Sequence, residues 1–134
     1  MAKAENAELV FVPLGGVGEI GMNFALYGYG SANAREWIVV DVGVTFPDAS
    51  LPGVDLVLPD TRFIEENLAN LRGIVITHAH EDHYGALLDI WPRLKAPVWM
   101  TPLSPSPTAT SEGDSPSRSA LVESQIRART PLSP

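Results

Sequence analysis

The feature that most constrains the fold of this chain is the grouping of its three histidines. All of them lie in the run His78-Ala79-His80-Glu81-Asp82-His83, directly after the apolar stretch of residues 73–76. Such a stretch is typical of a buried strand. Residues two apart in an extended segment point the same way, so His78 and His80 can present two imidazoles to one ion. Asp82 and His83 come where the chain turns into a helix and can point towards a second ion.

The chemistry of this cluster predicts a divalent metal site. The chain contains no cysteine, so any metal site must be built from imidazole, carboxylate and water. These ligands suit zinc, manganese and similar ions, and the absence of thiolate argues against a purely structural zinc site. A single histidine would more often be an ordinary surface residue. Three imidazoles and a carboxylate directly after a buried strand instead indicate metal binding.

Charge and hydropathy exclude several other classes of protein. The formal net charge is -7, which disfavours a basic nucleic-acid-binding module. No stretch reaches the ~18 apolar residues needed to span a bilayer, and the start of the chain has no apolar signal-peptide core. We therefore expect a soluble, cytoplasmic protein with no membrane partner and no DNA partner.

The chain divides into two pieces of different composition. Residues 8–102 alternate apolar stretches with polar turns, whereas residues 103–134 are rich in serine and proline and contain no aromatic residue. Such a tail buries too little apolar area to offset its conformational entropy. We expect a disordered N-terminus over 1–7, a partial domain over 8–102, and a mostly disordered tail over 103–134 that is read in a shifted frame or joined from unrelated sequence.

Hydrophobic periodicity predicts the element order β-β-β-α-β-α-β, and hence an α/β or α+β class with the last strands parallel. The third strand, residues 37–40, is apolar on both faces, which predicts a central position in the sheet. Thr61 is predicted to cap the first helix, and Pro92 to stop the second. The predicted strands are 9–12, 22–27, 37–40, 73–77 and 98–100, the segment 46–59 is predicted to be a long loop, and the second helix is predicted over 84–91.

A second motif has to be weighed against the histidine cluster. The run Gly16-Val17-Gly18-Glu19-Ile20-Gly21 matches the dinucleotide-binding pattern G-x-G-x-x-G, with Asp41 at the end of a later strand. That pattern requires a helix to begin at the glycines. Here the alternation of apolar residues over 22–27 predicts a strand instead. A tight turn between two antiparallel strands is therefore the favoured interpretation.

The motifs together resemble a known family. His78-x-His80-x-Asp82-His83 resembles the signature of the metallo-β-lactamase fold. The glycine-rich run 15–21 and three further runs make the chain similar to the bacterial ribonuclease J family, which carries an inserted β-CASP domain; these runs are Asp41-Val42-Gly43, Phe46-Pro47-Asp48 and Gly53-Val54-Asp55. The resemblance covers about residues 8–102. It implies the N-terminal half of an αββα sandwich, so we expect only an N-terminal fragment of such a chain.

The resemblance also implies a site and an activity. Two divalent ions, zinc or possibly manganese, would be bound at the sheet edge, the first by His78 and His80 and the second by Asp82 and His83. Asp82 and His83 would be the catalytic residues, acting through a metal-activated water. Asp41 resembles the aspartate that holds the metal loop in shape, and an ordinary strand-end cap is the alternative. The implied activity is 5′ to 3′ degradation of single-stranded RNA, with some internal cleavage, by a homo-oligomer.

The resemblance is incomplete in this chain. No histidine follows His83, although the family pattern has later ligands. An incomplete ligand set predicts weak metal binding and an inactive chain. Half a sandwich also leaves one sheet face uncovered, which predicts aggregation or a partner chain. Two alternatives therefore stand beside the ribonuclease: another hydrolase of the same fold, of glyoxalase or lactamase type, and a non-catalytic fragment.

Overall fold

A computed structural model of the chain describes residues 6–100. They form five strands, three short helices and one 3₁₀ turn, in the order β-β-β-α-3₁₀-β-α-α-β. The predicted element order is confirmed apart from the 3₁₀ turn and the division of the second helix. The elements are β1 (Glu8–Gly15), β2 (Phe24–Gly30), β3 (Glu36–Val40), α1 (Arg62–Glu65), the 3₁₀ turn (Leu68–Asn70), β4 (Leu71–Ile76), α2 (Glu81–Tyr84), α3 (Leu87–Leu94) and β5 (Val98–Met100).

The strands form one mixed sheet in the sequential order β1-β2-β3-β4-β5. The pairs β1–β2 and β2–β3 are antiparallel, because short turns connect them. The pairs β3–β4 and β4–β5 are parallel, because each is joined by a longer segment that contains a helix. The predicted α+β class and the parallel pairing of the last strands are thus confirmed. No helix within residues 6–100 is long and apolar enough to cross a bilayer.

The core lies between one face of the sheet and the helices. Leu26 on β2, Ile74 on β4 and Leu87 on α3 are completely buried there. Burial of each such side chain contributes about 1.5–3 kcal/mol to folding. The strands therefore alternate apolar residues towards the helices, and α3 lies along them with Ile90 and Leu94 also buried.

The opposite face of the sheet is not covered by any of the described residues. Phe11, Tyr27, Tyr29, Ile38 and Trp99 point to this side, which we call the open face. Tyr29 is 65% exposed and Trp99 is 55% exposed. The strand β3 is central, as its apolar sequence predicts, yet only its helix-facing side chains are buried. The predicted uncovered sheet face is thus present in residues 6–100.

The first predicted helix is shorter than its sequence pattern suggests. The α-helix α1 has a single turn, and Thr61 makes no capping hydrogen bond, because its hydroxyl instead contacts the carboxylate of Glu65. The side-chain amide of Asn67 donates to the carbonyl oxygen of Phe63 at 2.7 Å. Such side-chain bonds compete with helical backbone bonds. The helix therefore ends early, and the strand β4 begins at Leu71 rather than at residue 73.

The prediction of one helix over 84–91, stopped by Pro92, is wrong in two respects. The segment is divided into α2 and α3, because the backbone N–H of Ala86 donates to the carbonyl oxygen of Val42 instead of continuing a helix. The helix α3 then continues through Pro92, since Leu94 is buried in the core. It ends at Lys95, which has a left-handed backbone and donates its N–H to Trp91 O at 2.7 Å. The predicted disordered tail over 103–134 and most of the predicted disordered N-terminus over 1–7 lie outside the described residues.

Candidate metal centre

The three histidines come together at the end of β4. The strand ends at Ile76, residues 77–80 form a loop, and α2 begins at Glu81. The ring centroids of His78 and His80 are 4.6 Å apart, and those of His78 and His83 are 3.9 Å apart. The chain thus brings His83 back beside His78 by turning into α2. The sequence predicted that these imidazoles lie close together, but His78 and His80 lie in a loop rather than in an extended segment, and His83 is nearer to His78 than His80 is.

Asp41 lies directly beneath the cluster. It follows β3, and because β3 and β4 are parallel neighbours, the residues after both strands meet at the same sheet edge. Asp41 is 6% exposed and has a left-handed backbone with φ 63, a conformation that Asp adopts more readily than most residues. Its Oδ1 accepts the backbone N–H of Thr77 at 2.8 Å, and its Oδ2 lies 2.8 Å from Nδ1 of His83. The carboxylate therefore contacts both ends of residues 77–83, which we call the metal loop.

These hydrogen bonds determine which ring nitrogens carry protons. A carboxylate only accepts, so Nδ1 of His83 donates to Asp41, and in the neutral ring Nε2 keeps a lone pair. The Thr77 hydroxyl donates its single proton to Asp41, at 2.9 Å from Oδ2, so its oxygen accepts from Nδ1 of His78 at 3.0 Å. Both rings thus present Nε2 for a ligand. Metal-binding histidines usually donate their other ring N–H to a carboxylate or carbonyl oxygen in this way.

Asp82 and Asn23 form the other side of the cluster. Oδ2 of Asp82 lies 3.3 Å from Nε2 of His83. The side-chain amide of Asn23 lies within 3.0 Å of Asp82 O, 3.4 Å of Asp82 Oδ2 and 3.3 Å of His83 Nε2. Asn23 is not among the site residues predicted from the sequence, because the alternating pattern over 22–27 placed it among the non-core residues of a strand.

The glycine-rich run forms a turn between β1 and β2, and these strands are antiparallel. Gly16, Gly18 and Gly21 all have positive φ, which glycine adopts without strain. No helix begins at these glycines, so the interpretation as a turn is confirmed and the dinucleotide-binding pattern lacks its helix.

Backbone hydrogen bonds connect three segments: the turn between β1 and β2, the segment after β3, and the metal loop. Asn23 N donates to Asp82 O at 2.9 Å, and Gly43 N donates to Asn23 O at 2.9 Å. A Cβ atom at Gly43 would lie 1.7 Å from Asp82 O, so only glycine permits this approach. The segment after β3 is thereby fixed against the loop that carries the histidines.

The donor chemistry of the cluster fits a divalent ion, but the set is incomplete. Within residues 6–100, no group of three or more His, Asp or Glu side chains is arranged to hold a metal ion. His78 and His80 are exposed, and the Nε2 atoms of His78 and His83 carry lone pairs, so the side chains can bind an ion from the solvent side. The described part of the chain therefore contributes ligands of the right type without a finished coordination shell.

Comparisons with known proteins agree with this chemistry. The family model described as the Metallo-beta-lactamase superfamily matches residues 29–127. The chain is 64% identical over 101 residues to a ribonuclease J of Sinorhizobium meliloti, a match that covers 75% of this chain and 18% of the relative. It is 41% identical over 98 residues to a ribonuclease J of Helicobacter pylori, covering 73% of this chain and 14% of the relative. The chain thus spans less than a fifth of the length of these relatives.

Proposed function

Because the chain belongs to the metallo-beta-lactamase superfamily, we propose that it carries part of the active site of a metal-dependent ribonuclease of the ribonuclease J type. The proposed substrate is single-stranded RNA, degraded from its 5′ end with some internal cleavage. The similarity to proteins named ribonuclease J at 64% and 41% identity supports this substrate class over the glyoxalase and lactamase alternatives.

The observation that carries the proposal is the packing of three imidazole rings above one buried carboxylate. We propose that His78 and His80 bind a first ion and that Asp82 and His83 bind a second, with zinc or manganese as the metal. Two such ions would lower the pKa of a bound water and offset charge on the phosphoryl oxygens of RNA.

The protein's own part in this proposal is to orient its ligands. Asp41 fixes the tautomer of His83 directly and that of His78 through the Thr77 hydroxyl, so that both present Nε2 towards the solvent side. Because Asp41 is buried and bound by several donors, it acts as a support of the site rather than as a ligand. The rings then need little reorganisation when they bind.

A non-catalytic role of the 134 residues by themselves is the second candidate. It is favoured by the absence, within residues 6–100, of any group of three side chains arranged to hold a metal. An incomplete ligand set binds metal weakly and does not position an attacking water. On this reading the chain has the ancestry of a ribonuclease but does not turn over RNA alone. The cytoplasmic location expected from charge and hydropathy, and the homo-oligomeric state implied by the resemblance, remain predictions.

One experiment separates these readings. The purified chain is incubated with zinc or manganese and a 5′-monophosphorylated single-stranded RNA, beside a His80→Ala variant and a chelated sample. Metal-dependent degradation that is lost in both controls supports the ribonuclease. No degradation together with sub-stoichiometric bound metal supports the non-catalytic reading. Degradation that persists in both controls contradicts the proposed metal site.

A further inference from the structure

Asn23 contacts the metal loop through its side chain and its backbone, but it is not one of the proposed metal ligands. Its side chain is partly buried between Asp82 and His83, two proposed ligands of one ion. We propose that Asn23 is a positioning residue, whose amide N–H groups hold Asp82 and His83 in register for metal binding. The metal ion in this inference rests on the proposed function, whereas the contacts of Asn23 do not depend on that function.

The orientation of the Asn23 amide follows from its neighbours. Asp82 O and Asp82 Oδ2 can only accept hydrogen bonds. Nε2 of His83 also accepts in the neutral ring, because the one proton of that ring is then on Nδ1, where it is donated to Asp41. Since all three neighbours are acceptors, the amide must face them with its nitrogen. Asn23 therefore serves as a donor only at this site.

A donor is useful here because Asp82 and His83 present two acceptors to each other when the His83 ring is neutral. Oδ2 of Asp82 and Nε2 of His83 are 3.3 Å apart, and in the neutral ring, with its proton on Nδ1, no proton of their own lies between them. The Asn23 nitrogen is 3.4 Å from the first atom and 3.3 Å from the second, so it is close to both. Its positive N–H groups offset a repulsion that would otherwise drive these side chains apart. A metal ion bound by the same two atoms would offset that repulsion in the same way.

The backbone keeps Asn23 at this position. Its N–H donates to Asp82 O at 2.9 Å, and its carbonyl oxygen accepts the N–H of Gly43 at 2.9 Å. Met22, directly before it, has a left-handed backbone with φ 49, and β2 begins only at Phe24. Asn23 therefore lies outside the strand, where its side chain can reach the metal loop. Asn23 is thus held by its backbone N–H, its carbonyl oxygen and its side-chain amide, which suits a positioning role.

The test uses the metal-free protein first. The ¹⁵N resonances of the His83 ring are measured in the wild-type chain, in Asn23→Ala and in Asn67→Ala. The last is a matched control, because the Asn67 amide donates to Phe63 O in a helix turn. We expect wild-type Nε2 to be unprotonated and hydrogen-bonded, and its resonance to shift towards that of a free lone pair in Asn23→Ala only. Asn23→Ser, with a shorter single donor, is expected to give an intermediate shift.

Zinc affinity is then measured by calorimetry on the same proteins. We expect Asn23→Ala to weaken zinc binding about tenfold or more, as the loss of residues that hydrogen-bond to metal ligands typically does, and Asn67→Ala to leave it unchanged. If the wild type binds no zinc, the proposed function fails, while the metal-free spectra still test Asn23. The proposal is overturned if wild-type Nε2 is protonated, or if Asn23→Ala changes neither the resonance nor the affinity. The wild-type spectrum decides even where a variant does not fold.

Discussion

Replacement of Asp41 by asparagine tests whether one carboxylate sets the tautomers of the cluster. The two side chains have the same shape, and asparagine also tolerates the left-handed backbone seen here. If the amide oxygen stays beside the Thr77 N–H, the amide nitrogen faces Nδ1 of His83. A donor at that point requires Nδ1 to accept, so the ring proton moves to Nε2. Nε2 of His83, the atom proposed to bind the metal, then carries a proton and cannot bind it.

The size of the effect can be worked out from the bonds that are lost. Asp41 is buried, and its bond to His83 is 2.8 Å long with a charged acceptor. A hydrogen bond to a charged group contributes about 1.5–3 kcal/mol, so we expect Asp41→Asn to lower the free energy of unfolding by about that amount. Loss of a carboxylate that hydrogen-bonds to a metal-binding histidine costs about 10–100-fold in metal affinity. Zinc binding should therefore weaken more than the loss of stability alone would suggest.

Three measurements check this prediction. Chemical denaturation gives the free energy of unfolding, calorimetry gives zinc affinity, and ¹⁵N spectra of His83 identify the protonated ring nitrogen. We expect the proton on Nδ1 in the wild type and on Nε2 in Asp41→Asn. An Asp41→Asn protein with wild-type zinc affinity and a proton still on Nδ1 would refute the reasoning, because the carboxylate would then have no influence on the ring.

Three further outcomes are expected. Gly43→Ala should lower the free energy of unfolding by about 3 kcal/mol, because its Cβ would lie 1.7 Å from Asp82 O. Gly18→Ala, with open space around it, should cost only the ~1–2 kcal/mol of a positive φ; equal losses by denaturation would contradict the steric argument. Phe11→Lys on the open face should raise the concentration at which light scattering detects self-association; unchanged scattering would count against an adhesive open face. The pKa of Asp60 is lowered to about 2 by its hydrogen bonds with Arg62, so this ion pair stabilises the fold above the ordinary pKa of 3.8 and is lost as the pH falls towards 2. Carboxyl NMR should show that pKa return towards 3.8 in Arg62→Ala, and a wild-type value near 3.8 would contradict the pairing.

The sequence was most informative where the deciding contacts are local. The grouping of His78, His80 and His83 could be predicted because all three lie within six residues, in one loop and the first turn of α2, so no knowledge of the rest of the chain was needed. The central position of β3 could likewise be predicted, since an apolar strand of this kind is rarely an edge strand. Predictions of this type depend on periodicity, which the sequence displays directly.

Contacts between distant segments account for what could not be predicted. Asn23 reaches a residue 59 positions away, and the left-handed Met22 that directs it there interrupts an otherwise regular alternation. The break between α2 and α3 depends on Val42, whose carbonyl takes the N–H of Ala86. Propensity alone cannot reveal such partners, because tertiary hydrogen bonds override the local preference.

Gly73 allows the fluorescence of Trp99 to report on the open face of the sheet. A Cβ at this position would lie 1.9 Å from the Trp99 ring, so the indole can lie flat across β4 only because the residue is glycine. The other two tryptophans lie on the helix side of the sheet: Trp37 is buried at 5% exposure, and Trp91 on α3 donates its indole N–H to Ala96 O at 2.9 Å. The emission of Trp99 should therefore move to shorter wavelength whenever another surface covers the open face and excludes water from it, while the emission of Trp37 and Trp91 stays constant. Fluorescence can thus distinguish coverage of the sheet from a change in the fold itself.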